Sequence, residues 1–173
     1  MPRILGIIVT STTYGTWLRG DKRGWIDDGK LMPPDPDLEA ADQRRLKHPP
    51  FVFERSQLLH VGRIIGTSLV TRMHAPVLAL HAGAWHFHLV VGLQPDDAAI
   101  AAKCAKDAVR FQLRPSRPIW TADYDNRFCF DEPALQRRIR YVERHNEAMG
   151  WPPRPWEFIT PLNEYPAPTA SHN

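Results

Sequence analysis

Two histidines stand two residues apart in an apolar segment, His86 and His88 of the stretch HAGAWHFHLVVG at 81–92. The apolar and β-branched residues that follow favour a β-strand, and in a strand the side chains at positions i and i+2 lie on one face. His86 and His88 should therefore point to one side of a sheet and Phe87 to the other. Two ring nitrogens on a rigid strand supply half of a metal site. Histidine pairs also occur on solvent-facing sheets, so a metal site requires a further ligand from another element.

A second candidate group lies near the C-terminus, in a segment that favours a helix at 131–150. This segment begins with acidic residues and ends at Gly150, as helices often do. Tyr141 and His145 are four residues apart, which places their Cβ atoms about 5–6 Å from one another on one helical face. If this face packs beside the histidine strand, His145 becomes a third metal ligand and Tyr141 lies next to the metal. A metal would polarise a phosphoryl oxygen, and the tyrosine oxygen would attack phosphorus to form a covalent intermediate.

The elements that must position these residues follow the order β-α-β-β-α-β-α. The patterns predict strands at 4–12, 76–84, 86–93 and within 119–130, and helices at 53–73, 95–114 and 131–150. This order predicts an α+β fold, a ferredoxin-like antiparallel sheet with two helices on one face. The C-terminal helix that carries the tyrosine is an addition to that plan.

The remaining segments differ in composition. Residues 15–50 are rich in Gly, Pro and Asp, and we expect a long loop insertion there. Residues 151–173 form a Pro-rich tail that should wrap the surface. At 173 residues, the chain is most simply one domain, 1–173.

The amino-acid composition is that of a globular protein and excludes several other classes. Hydrophobic residues make up 43% and charged residues 24%, values that are ordinary for a globular domain. Cys104 and Cys129 are the only cysteines, which excludes a disulfide framework and zinc-ribbon spacing. The opening apolar run is too short for a signal peptide, and no stretch has the length of a membrane span. We therefore expect a cytoplasmic protein without a membrane partner. The net charge of +3 and the pI near 9.1 are compatible with an anionic partner.

Taken together, the two groups resemble the HUH-type single-tyrosine transposases, in particular the REP-associated tyrosine transposases. His86-Phe87-His88 matches the His-hydrophobic-His signature of that family. The stretch YVERHNEAMG (141–150) is similar to its tyrosine helix, of the form Tyr-Ile-x-x-Asn-Pro-x-x-x-Gly. The opening TTYGTWLRGDKRGWIDDG (12–29) and the closing PWEFITP (155–161) also resemble family segments. The resemblance covers nearly the whole chain and is weakest at 30–50.

The resemblance implies an HUH fold and a DNA strand transferase that acts on single-stranded or hairpin DNA. It implies that Tyr141 is the nucleophile, that a 5′-phosphotyrosine forms, and that Mg²⁺ or Mn²⁺ is the working ion. A DNA partner would place the protein at the nucleoid. Both a self-contained monomer and a homodimer that exchanges the tyrosine helix stay open.

Two residues depart from the family's helix pattern. His145 stands where the family has an Asn or Gln ligand, and Asn146 stands where it has proline. Because histidine also binds metals, we interpret His145 as a changed ligand. The predicted ligand set is His86, His88 and His145, and such an all-nitrogen set favours Mn²⁺ over Mg²⁺, which prefers oxygen.

Basic side chains on two predicted helices are candidates for DNA contact. The arginines around Tyr141 are the better candidates for phosphate contact: Arg137, Arg138, Arg140 and Arg144. A second basic run lies on the helix at 95–114 and consists of Lys103, Lys106 and Arg110. Either set could instead be a solvated helix face. The aromatic residues Tyr14, Trp17 and Trp25 could stack on unpaired bases or pin the long loop to the core.

Two other function classes stay open. The chain could be a domesticated relative that binds DNA without cleaving it, although intact His86, His88 and Tyr141 argue against this. It could also be an unrelated metal hydrolase that uses three histidines and water, for which Tyr141 would be dispensable.

Overall fold

The computed structural model describes residues 3–166 and is built around one antiparallel sheet. The strands are β1 (Gly6–Thr12), β2 (Trp25–Asp27), β3 (Lys30–Met32), β4 (Val77–Ala82), β5 (His86–Val91) and β6 (Asp125–Cys129). The helices are α1 (Pro36–Arg45), α2 (Leu58–Met73), α3 (Ala98–Leu113) and α4 (Glu132–Ala148). Four strands form the main sheet in the order β4-β5-β1-β6, and every pairing is antiparallel. Within residues 3–166, no helix combines the length and the apolar character needed to cross a membrane.

Both faces of this sheet are covered, because apolar residues occupy both sets of alternating positions. Phe87 and Leu89 of β5 belong to the core formed with α2 and α3. Val90, on the other face of the same strand, packs with Leu135 and Val142 of α4. The predicted α+β fold, with two helices on one face and an added C-terminal helix, is confirmed, and the added helix lies on the opposite face.

Helix α4 has a strong start signal and a narrow apolar stripe. The side chain of Asp131, just before the helix, accepts a hydrogen bond of 2.7 Å from the Ala134 amide, which satisfies one of the free donors of the first turn. Leu135, Ile139 and Val142 are buried at helical spacing. The helix therefore docks on the sheet in one orientation, and this orientation fixes where Tyr141 and His145 point.

The insertion at 15–50 contains more regular structure than the sequence predicted. It holds the β2–β3 hairpin and helix α1. Asp35 caps α1 by accepting from the Leu38 amide at 3.1 Å, and Pro36 occupies the first turn. Helix α1 buries none of its residues, so its sequence has no apolar period by which a helix could be recognised.

The Pro-rich tail crosses α2 and then β4, as far as it lies within the described residues; 167–173 fall outside them. Trp156 and Phe158 stack in parallel with ring centroids 5.9 Å apart. Their rings lie over Gly62 and Gly66 of α2, where an added Cβ would come within 2.1 and 2.0 Å of them. The Trp156 indole donates to the Leu59 carbonyl at 2.9 Å, and the tail therefore packs tightly on the helix.

Candidate metal centre and tyrosine

The residues predicted to act together meet between β5 and α4. His86 and His88 point to the α4 side of the sheet, with ring centroids 4.6 Å apart. The His145 ring lies 4.8 Å from the His88 ring and 5.8 Å from the His86 ring, centroid to centroid. The Tyr141 ring lies 4.8 Å from His145 and 5.3 Å from His88. Strand period and helix period together bring two histidines from β5 and a histidine and a tyrosine from α4 to one place.

A fourth histidine, which sequence reasoning missed, joins this cluster from β4. His81 is paired with His88 in the antiparallel register of β4 and β5. His81, His86 and His145 each offer a ligand nitrogen, and these atoms lie within 4.8 Å of one another. In the sequence, His81 has no histidine two residues away and looks like an isolated core residue. The detectable signal was the short hairpin turn, because antiparallel pairing across it sets residue 81 opposite residue 88.

The cluster has the properties of an ion site. Both ring nitrogens of His86 are buried without a hydrogen-bond partner among the described residues. A buried polar group without a partner costs about 1–3 kcal/mol, and a coordinated ion would satisfy the ring nitrogen that carries the lone pair. Gly83 keeps the space open, since a Cβ there would lie 2.9 Å from Cε1 of His86 and 3.1 Å from Nε2 of His81. The nitrogen donors suit a borderline divalent ion such as Zn²⁺, and they suit Mn²⁺ better than Mg²⁺.

These imidazoles are neutral at neutral pH, the form in which histidine binds metals. Burial lowers the pKa of His81 from 6.5 to about 4 and the pKa of His86 to about 3. Burial also lowers the pKa of His88 and of His145. The His88 ring lies beside the three-histidine group with its Nδ1 at 2.8 Å from Oγ1 of Thr10, so its orientation is fixed as well.

Tyr141 is accessible from solvent, with 45% of its surface exposed. Arg137, Arg138 and Arg144 lie within one helical turn of it, at positions 4 and 3 before and 3 after. Arg140 is differently engaged: it binds Glu147 through two hydrogen bonds of 2.8 and 2.9 Å. Three of the four predicted arginines therefore lie near the tyrosine on α4, and their contact with a phosphate stays a prediction.

The predicted basic residues of α3 are not brought to this site, because α3 packs on the opposite face of the sheet. The Lys106 ammonium donates to the Thr121 and Asp123 carbonyls, each at 2.8 Å. Lys103 and Arg110 both pair with Asp107. These side chains hold local structure on the far side of the molecule.

The N-terminal insertion borders the histidine cluster through an aromatic contact. The Arg23 guanidinium packs against both Trp17 and Trp85, 4.0 and 4.7 Å from the ring centroids, and forms an ion pair of 2.6 Å with Asp21. The Trp85 ring lies 4.2 Å from that of His86. The indoles of Trp17 and Trp25 donate to carbonyls within the insertion, and the Tyr14 hydroxyl accepts from the Lys47 amide. These contacts favour the interpretation that the aromatic residues pin the insertion.

Solved structures similar to this chain were found, whereas comparisons with family models and with curated proteins found no match. A REP-associated tyrosine transposase, solved bound to a REP hairpin, aligns with a TM-score of 0.51 and 13% identity over 98% of this chain and 87% of that one. A candidate transposase from Deinococcus radiodurans R1 aligns with a TM-score of 0.42 and 14% identity, over 82% of this chain and 91% of that one. The first alignment shows a common fold along almost the entire length.

Proposed function

We propose that this chain, which has the fold of a REP-associated tyrosine transposase, cleaves and transfers strands of single-stranded or hairpin DNA through Tyr141. The observation that carries the proposal is the position of Tyr141, an exposed phenol whose ring centroid lies 4.8 Å from that of His145 in a cluster of neutral imidazoles. The solved transposase of the same fold was bound to a REP hairpin, which supports hairpin DNA as the partner. The cytoplasmic nucleoid is the corresponding location, and homodimer formation stays a prediction.

In the proposed reaction, the Tyr141 oxygen attacks the scissile phosphorus and gives up its proton. A bond forms between that oxygen and phosphorus, and the bond from phosphorus to the 3′-oxygen breaks. The departing 3′-oxygen takes up a proton and becomes a free hydroxyl, while Tyr141 retains the 5′-phosphate. Because one phosphodiester replaces another, a 3′-hydroxyl can reverse the step and join a strand without ATP.

The histidines serve as the ion-binding part of this site. We propose that His86 and His145 bind the ion together with His81, and that His88 completes the ring of nitrogens next to Tyr141. A divalent ion there would polarise a phosphoryl oxygen of the DNA. Because every donor is nitrogen, we expect Mn²⁺ to support the reaction better than Mg²⁺. The three arginines beside Tyr141 would hold flanking phosphates.

The test is a denaturing gel of labelled hairpin DNA incubated with the protein and Mn²⁺. The native protein should give a slowly migrating covalent protein–DNA species. Tyr141→Phe should lose this species while it retains DNA binding and Mn²⁺ binding, because only the nucleophile is removed. His86→Ala should lose cleavage through loss of the ion.

Three other outcomes would contradict the proposal in different ways. A covalent species that survives in Tyr141→Phe would mean that another residue is the nucleophile, with Tyr124 the next to test. Cleavage by Tyr141→Phe without any adduct would indicate a metal hydrolase that uses water. Tight hairpin binding without cleavage by the native protein would indicate a DNA-binding relative.

A further inference from the structure

Asn146 is a buried amide that connects the histidine cluster to two backbone segments. It follows His145 in α4 and has 0% of its surface exposed. Its Oδ1 lies 2.8 Å from Nδ1 of His81. Its Nδ2 donates to the carbonyl of Leu80 at 2.9 Å and to the carbonyl of Pro153 at 3.0 Å. All the polar atoms of this side chain therefore have partners.

These contacts determine the orientation of the amide and the tautomer of His81. A carbonyl oxygen can only accept, so the NH₂ group of Asn146 must face Leu80 and Pro153, and its oxygen must face the histidine. Nδ1 of His81 then carries the proton and donates it to Asn146. In a neutral imidazole this leaves the lone pair on Nε2.

The free nitrogen of His81 points into the same space as His86. Nε2 of His81 and Nδ1 of His86 lie 3.1 and 3.2 Å from the position that a Cβ of residue 83 would occupy. Because residue 83 is glycine, nothing from this position separates the two nitrogens. The hydrogen bond on one side of the His81 ring thus directs the lone pair on the other side into the cluster.

We infer that Asn146 is a positioning residue of the metal centre, which holds His81 in the tautomer and orientation of a ligand. The inference rests on the proposed ion site. A partner on the second ring nitrogen commonly orients a metal-binding histidine. Here the partner is a neutral amide, so it orients the ring without adding negative charge next to the DNA phosphate. The same amide ties the site to the tail at Pro153, so α4, β4 and the tail converge on one ligand.

If Asn146 had a purely structural role, its substitution would weaken metal binding equally with and without His81. A double-mutant cycle distinguishes this role from the positioning role. The measurement is a titration of the full-length protein with Co²⁺, followed by its visible absorption, which reports both affinity and coordination. Asn146→Leu should weaken Co²⁺ binding about 10–100-fold, the usual effect of removing such a partner. In the His81→Ala background, Asn146→Leu should change Co²⁺ affinity little, because the ring that it positions is absent.

Three further variants keep the test interpretable. Asn146→Asp retains an acceptor for the His81 proton, so its Co²⁺ affinity should stay well above that of Asn146→Leu. Asn146→Ala also removes the acceptor and takes the place of Asn146→Leu if that variant does not fold. Thr67→Ala, at an exposed position on α2, should bind Co²⁺ like the native protein. An equal loss of affinity from Asn146→Leu with and without His81, or no loss at all, would overturn the inference.

The outcomes also distinguish this inference from the proposed function. A native protein that binds no Co²⁺ would overturn the ion site and the role of Asn146 together. Normal Co²⁺ binding with the predicted coupling, but no covalent DNA adduct, would overturn the strand transfer alone and leave the role of Asn146 supported.

Discussion

The buried histidines make the stability of the metal-free protein depend on pH. Burial lowers the pKa of His81 to about 4 and the pKa of His86 to about 3, against 6.5 in an exposed histidine. Between the low pKa of the folded protein and the value of 6.5 in the unfolded chain, the unfolded chain binds more protons than the folded one. The free energy of unfolding should therefore be highest above about pH 6.5. Below that pH it should fall by about 1.4 kcal/mol per pH unit for each such histidine.

Urea unfolding of the metal-free protein at pH 7, 6 and 5 checks this prediction. Carboxylates contribute little in that range: a hydrogen bond from Arg23 lowers the pKa of Asp21 below its ordinary 3.8, so its contribution is lost only at lower pH. His86→Asn removes one titrating ring. It should reduce the slope of the free energy of unfolding against pH by about 1.4 kcal/mol per pH unit, the contribution of one proton. A free energy of unfolding that is constant from pH 7 to pH 5 would show that these rings are not held neutral by burial.

The sequence predicted four residues of the site, but it did not predict the two residues that join them through tertiary contacts. His86, His88, Tyr141 and His145 could be placed together because strand and helix periods assign a face to each residue. His81 could not, since its place beside His88 depends on the register across a hairpin turn. Asn146 was recognisable only as a residue that differs from the family pattern, because its bonds to Leu80 and Pro153 join segments distant in sequence.

At the scale of elements, the contact between the tail and α2 reverses the usual effect of a glycine substitution. Replacing a glycine inside a helix by alanine normally stabilises it by up to about 1 kcal/mol. At Gly62, however, the new Cβ would lie 2.1 Å from Cζ2 of Trp156. Gly62→Ala should therefore displace the tail and lower the free energy of unfolding by about 1–3 kcal/mol.

Chemical unfolding of Gly62→Ala, compared with Thr67→Ala, checks the sign. Thr67 is exposed on the same helix, so its substitution should leave stability equal or slightly raised. If Gly62→Ala proves as stable as Thr67→Ala, Trp156 does not rest on α2 in solution.

Helices and strands with an apolar period were predictable, whereas α1 and the β2–β3 hairpin were not. Helix α1 carries the usual signals at its ends, with Asp35 before Pro36 at its start and Arg44 and Arg45 in its last turn. It buries none of its residues, and without an apolar stripe these signals were not distinguishable from a polar loop. Its position depends on close contact with the earlier part of the insertion, where the Asp35 amide donates to the Gly20 carbonyl at 3.0 Å and a Cβ at Gly20 would lie 2.1 Å from the Asp35 carbonyl oxygen.

At the scale of the whole molecule, the basic residues of α4 and the basic residues of α3 lie on opposite faces of the sheet. DNA that reaches Tyr141 should therefore contact α4. We expect stronger binding to hairpin or single-stranded DNA than to a blunt duplex of random sequence. Binding should weaken steeply with salt as counterions are released. Arg138→Gln should lower the slope of log affinity against log salt by about 0.7–0.9, the value of one phosphate contact.

Arg110→Gln on α3 is the matched control, because the same charge is removed from the opposite face. Its slope should equal that of the native protein unless the DNA wraps around the sheet. Equal slopes for Arg138→Gln and the native protein would mean that the DNA does not pass over α4. Equal affinity for the blunt duplex would count against strand transfer on unpaired DNA.

The tail also determines how the sheet is shielded from other chains. An outer strand with free amides and carbonyls is a template for association with a second molecule. On the β4 side the tail covers the start of this template, because Ile159 forms a parallel bridge with Val77 and the Thr160 amide donates to the Val77 carbonyl at 2.8 Å. On the β6 side, a short strand that carries Asp125 and Arg127 discourages pairing by its charges. A chain ending after α4 would keep the four clustered histidines and Tyr141, yet it would expose the backbone of Val77 at the start of β4, and we expect it to associate more readily along that edge.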